Sequence, residues 1–119
     1  MDSNLVLRAA SAGNLTGDAT LTDVDLNPMV SPLYLHVLVP AVSTDDTLLV
    51  TADFENVSGT TLQQTTIPII TAAGKYVIPI FCDHPDLTDL SVILDCTATG
   101  TAAMNFGAVV VWVSNSRKS

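Results

Sequence analysis

A chain of 119 residues fits one domain with one core, and its 48% hydrophobic content with only 5% aromatics builds that core from Val, Ile, Leu, Ala and Thr. A formal charge of −8, from eleven Asp and one Glu against Arg8, Lys75, Arg117 and Lys118, excludes a phosphate-binding surface and with it direct nucleic-acid binding. The acidic start Met1-Asp2-Ser3-Asn4 does not resemble a signal peptide, and the apolar stretch Gly107 to Val113 is too short to cross a bilayer, so no membrane contact is expected.

Residues 1–18 hold a short apolar run, Leu5-Val6-Leu7, followed by small and polar residues. Such a segment is either a terminal strand of its own domain or an arm reaching a neighbouring subunit. Ala19 to Leu26 alternates weakly with outward acidic positions, and Pro28 and Pro32 then break the pattern. From Leu33 to Val57 two apolar-rich runs flank a polar break at 43–46, the grammar of a hairpin or of two strands joined across a sandwich edge. Its second run places Leu48, Val50, Ala52 and Phe54 on one face and Leu49, Thr51, Asp53 and Glu55 on the other, a period of two that means strand.

Ser58-Gly59 turns the chain into a strand over Thr60 to Thr71, where Pro68 points to an edge position or a bulge, and Ala72-Ala73-Gly74 turns it again into Lys75 to Phe81. There Tyr76, Ile78 and Ile80 share a face, and Pro79 marks a second edge. A polar loop, Asp83 to Asp89, precedes a strand over Leu90 to Thr97. The last strand is expected over Asn105 to Val113; both of its faces are apolar, so it should be central, and a polar tail, 114–119, follows. Eight short, evenly spaced strands without a helical period predict an all-β fold, an eight-stranded antiparallel jelly-roll sandwich in a single domain spanning 1–119.

No motif carries catalysis. Cys82-Asp83-His84 lacks the ligand spacing of zinc sites, and Asp83, Asp86 and Asp89 lack the glycine-spaced pattern of calcium loops, so we expect no metal or other cofactor. Cytoplasmic synthesis would keep Cys82 and Cys96 reduced. The histidines, His36 and His84, sit in no nucleophile signature, and Asp45-Asp46 reads as turn chemistry, so the chain is not expected to be an enzyme. Trp112, Tyr34 and Tyr76 could offer stacking platforms to a sugar, but each lies in an apolar strand where core packing is the commoner use.

From about Asp23 to Val113 the organisation resembles the small jelly-roll cement (decoration) proteins of tailed bacteriophage capsids. The resemblance rests on an acidic, apolar opening strand, a Pro-containing linker into Pro-Leu-Tyr-Leu-His-Val-Leu-Val and, after a polar break, Thr-Leu-Leu-Val-Thr-Ala-Asp-Phe. Ala-Gly-Lys-Tyr-Val-Ile-Pro-Ile and the closing Gly-Thr-Ala-Ala-Met-Asn-Phe-Gly-Ala-Val-Val-Val-Trp-Val complete it. It implies a structural protein of the virion, made in the host cytoplasm, that binds the capsid exterior and bridges neighbouring major capsid subunits against internal DNA pressure. The implied partners are the major capsid protein and the chain itself, as a homo-oligomer, with a dimer favoured slightly over a trimer. Leu5, Leu7 and Arg8 at the start and Arg117 and Lys118 in the tail hold three of the four basic residues and are the expected interface. The alternative is a monomeric carbohydrate- or ligand-binding β-sandwich.

Overall fold

Alternation of buried and exposed side chains sets the strands. The computed structural model describes residues 5–26, 33–42, 46–56, 58–80, 88–98 and 104–117. The strands are β1 (Leu5–Arg8), β2 (Ala19–Asp25), β3 (Leu33–Val39), β4 (Thr47–Glu55), β5 (Thr61–Ile70), β6 (Gly74–Ile80), β7 (Asp89–Thr97) and β8 (Val110–Ser114). A single 3-10 turn, Ala10–Ala12, interrupts the segment after β1, where a loop was expected. Among the described residues no helix is long and apolar enough to cross a membrane.

Two four-stranded antiparallel sheets form, with strand orders β1-β8-β3-β6 (sheet A) and β2-β7-β4-β5 (sheet B). This is the expected jelly-roll sandwich. Pro68 and Pro79 lie in β5 and β6, the outer strands on which a missing N–H removes no ladder bond from the interior. The expectation that the last strand is central also holds, since β8 lies between β1 and β3.

Of the two readings of Leu33 to Val57, two strands joined across the sandwich edge is the one observed and the hairpin is not, since β3 belongs to sheet A and β4 to sheet B. Only β4 and β5 are both consecutive and paired. Alternation assigns a face to each residue but does not name the neighbouring strand, which is why both readings fit the sequence.

The last strand starts at Val110 rather than Asn105, because the backbone of 105–109 bonds elsewhere. Phe106 N–H donates to Leu15 O (2.9 Å), Leu15 N–H to Gly107 O (2.8 Å) and Ala41 N–H to Phe106 O (3.3 Å), tying three loops into one end of the sandwich. Gly107 turns there with φ +74°, and a Cβ on it would meet Pro40 Cβ at 3.0 Å, so positive φ and close approach both require glycine.

The core lies between the sheets. Leu35, Val37, Val111 and Val113 of sheet A face Leu48, Val50, Phe54, Val92 and Leu94 of sheet B, all fully buried. Burying such a side chain contributes about 1.5–3 kcal/mol, so these inner faces hold the sheets together.

Candidate functional site

The outer face of sheet A carries the one chemically unusual constellation among the described residues. Strand register lays Val6, Trp112, His36 and Val77 side by side across all four strands, with Val110, Leu38 and Lys75 in a neighbouring row and Ser114, Tyr34 and Pro79 in another. At the centre, the His36 and Trp112 rings stack with centroids 4.8 Å apart and planes 3° from parallel. Lys75 Nζ lies 5.3 Å from the Trp112 ring centroid, within cation–π range. Trp112 and Tyr34 were expected to pack in the core; instead both are half-buried on this outer face, while Tyr76 packs against the core as expected.

His36 is fully buried although it points away from the sandwich interior, because Trp112 covers it and the chain after β8 folds back over it. Its Nε2 lies 2.9 Å from Ser116 O and 2.8 Å from Ser114 Oγ. A carbonyl can only accept, so Nε2 carries the proton and donates it, and the Ser114 hydroxyl donates in turn to Ser116 O (2.7 Å). Nδ1 is then the bare nitrogen, buried without a partner. Burial lowers the His36 pKa, the Ser116 carbonyl opposes that, and the Lys75 charge adds to the lowering. The ring is therefore held neutral.

A histidine 2.8 Å from a serine hydroxyl invites a catalytic reading. The geometry argues for a fastener instead: both side chains are wholly buried, Nε2 is a donor rather than a base, and no carboxylate orients Nδ1. What the arrangement does is pin the segment 114–116 to the middle of sheet A. Sequence reading missed it because Ser114 and Ser116 are far from His36 along the chain and meet it only through the β3–β8 register.

Sheet B presents a different outer face. Thr51, Asp53 and Glu55 of β4 lie beside Ile93, Ser91 and Asp89 of β7, and Gln64 Nε2 donates to Asp53 Oδ1 (2.6 Å) from β5. The strands of this sheet contain Asp23, Asp25, Asp53, Glu55, Asp89 and Asp95 and no Lys, Arg or His. The strands of sheet A contain no carboxylate at all.

The residues expected at an interface are dispersed. Leu5 and Leu7 are half-buried against the core in β1. Arg8 spans two loops, its guanidinium donating to Val109 O (2.7 Å) and Gly13 O (3.1 Å). Arg117 is exposed beyond the opposite end of β8, and Lys118 lies outside the described residues, as do Cys82, Asp83, His84 and Asp86 of the acidic loop. Cys96 is a free thiol on β7 whose pKa is pushed up to about 11, first by burial and then by the neighbouring charges of Asp18 and Asp95. Its thiolate is scarce at neutral pH, which makes it a poor nucleophile. Asp46, read as a turn residue, is buried with Oδ2 unpartnered. No group of three or more His, Cys, Asp or Glu among the described residues is arranged to hold a metal ion.

No family model and no curated protein matches the chain. Among solved structures it is similar to a chain in the structure of infectious bursal disease virus Gx strain, with TM-score 0.58 and 13% sequence identity over 96% of its own length. It spans 31% of that longer chain. At this identity the likeness shows the fold.

Proposed function

We propose that the chain is a structural, non-enzymatic protein of a virus particle, and specifically a cement or decoration protein of a tailed bacteriophage. In this role it binds the exterior of the head and bridges neighbouring major capsid subunits against internal DNA pressure. The observation that carries the viral part is the jelly-roll strand order over nearly the whole chain, alike in fold to part of a chain in a virus structure. The resemblance of Asp23 to Val113 to phage cement proteins supports the finer part. So do the physical requirements of the role: many copies of one modest contact add up on a lattice, and an acidic protein is suited to a shell's outside rather than to its DNA.

Cosedimentation with expanded and unexpanded heads of the encoding virus tests this. We expect the chain to pellet with expanded heads and to raise their resistance to heat; a chain left wholly in the supernatant of both removes the decoration role. Deleting 117–119, which leaves β8 and the His36 contacts to Ser114 and Ser116 in place, should lower occupancy if Arg117 and Lys118 hold the contact. Half-buried Trp112 is the observation that favours the second reading, a monomeric sugar-binding sandwich. Specific signals on a glycan array from a monomer that ignores heads would establish it.

A further inference from the structure

We propose that two copies of this chain associate face to face through the outer surface of sheet A, forming a twofold dimer. The inference goes beyond the reading above by naming a surface for the homo-oligomer that the cement-protein resemblance implies, and it stands on the distribution of charge and apolar area.

An acidic protein of net charge −8 repels its own copies, so a self-contact must avoid opposing carboxylates. The strands of sheet B carry six of them and no cation, whereas those of sheet A carry none. Two sheets lie roughly 10 Å apart within a sandwich, so joining copies through sheet A leaves the acidic faces roughly 30 Å from each other. That is well beyond the Debye length of about 8 Å at physiological salt. Joining them through sheet B would instead set Asp53, Glu55 and Asp95 against their equivalents.

Apolar area points the same way. Of the three exposed large hydrophobics among the described residues, Val6 (53%) and Leu38 (38%) lie together on this face beside half-buried Trp112, Val110 and Val77, while Ile69 (60%) lies on β5 of sheet B. Lys75 is rooted on the edge strand β6 and its Nζ lies over the Trp112 ring, so the centre of the face combines apolar area with one cation held by a cation–π contact. Four strands about 4.8 Å apart and roughly six residues long give a footprint of about 400 Å² per copy. Two footprints fall below the ~1,200–2,000 Å² of a standard stable interface, so the dimer is reversible.

Sedimentation velocity of the full chain over a wide concentration range tests this, with Trp112 fluorescence as a second reading of the same face. We expect a monomer–dimer equilibrium and a blue shift of Trp112 emission with concentration. Because the symmetry applies each change twice, Leu38→Asp and Val6→Asp should each weaken the dimer about tenfold or more. Ile69→Asp, at a 60% exposed position on β5 of sheet B, should leave it intact. Circular dichroism confirms that each variant is folded, and the wild-type emission shift tests the face without any substitution. A monomer at every concentration, polymers growing beyond the dimer, or a dimer broken by Ile69→Asp and not by Leu38→Asp would overturn the proposal. A dimer of the expected kind that fails to bind heads supports it while removing the decoration role; a monomer that decorates heads does the reverse.

Discussion

The two sheets share one core but offer solvent two unlike surfaces. Sheet A shows aromatic and aliphatic side chains around a buried histidine and has no carboxylate on its strands, whereas sheet B mixes threonines and carboxylates with scattered apolar residues such as Ile69 and Ile93. The inner faces answer to packing alone, so they converge on the same Leu, Val and Ile; the outer faces are free of that demand, so their difference reports what each meets. Sheet B is built to remain hydrated. Sheet A holds apolar area that no described segment of the chain fully covers.

The largest expected effect is one in which the sheets should not differ. Leu35→Ala in β3 and Leu94→Ala in β7 remove equivalent, fully buried side chains, and each should cost about 2–5 kcal/mol in chemical denaturation. A large loss in one sheet with none in the other would mean the core is not shared.

Substituting the buried histidine should have a smaller effect, confined to sheet A. His36→Phe keeps a ring beneath Trp112 but loses the bond to Ser116, at a cost of about 0.5–1.5 kcal/mol at neutral pH, and should loosen the tail toward proteolysis. It should also change the pH dependence. With its pKa lowered in the fold, His36 takes up a proton more readily when unfolded. Its contribution is therefore complete above about pH 6.5 and is lost as pH falls from there through the lowered folded value. Carboxylate titrations are common to both proteins, so urea midpoints of wild type and His36→Phe should converge on acidification; midpoints that stay parallel would show that His36 does not titrate this way.

The smallest effect belongs to sheet B. Asp53→Asn removes one of its charges while an amide oxygen can still accept from Gln64, and stability should move by under about 0.5 kcal/mol. A drop of several kcal/mol would mean that this face depends on its carboxylates and is not merely solvated by them.

How much of this was legible in the sequence differs between the two surfaces. Sheet B was readable because β4 alternates cleanly: Leu48, Val50, Ala52 and Phe54 are all buried, and the carboxylates fall opposite them. On β3 and β8 both faces are apolar, so alternation could not tell that Trp112 and Tyr34 point outward. The two strand prolines were informative because a missing donor is tolerated in a sheet only at an edge, a strand start or a bulge; both lie on edge strands, and Pro68 also lies at the register shift between Ile67 and Ile70. The His36 fastening left no local trace, since it is made by register between strands distant in sequence. Arg8 was read from its charge as an interface residue; that its guanidinium also ties together the carbonyls of Val109 and Gly13 is a local role that charge counting cannot reveal.

The place of β8 governs how the protein comes to be made. As the last of the eight strands it sits between β1 and β3, so sheet A stays divided, with β1 on one side of a gap and the β3–β6 pair on the other, until β8 has left the ribosome. Most connections also cross between sheets, which makes pairing non-local and folding slow. During synthesis the unfilled gap exposes the ladder groups of β3, a template for pairing with another nascent chain. Insertion of β8 between β1 and β3 is therefore the step that closes sheet A against such mispairing.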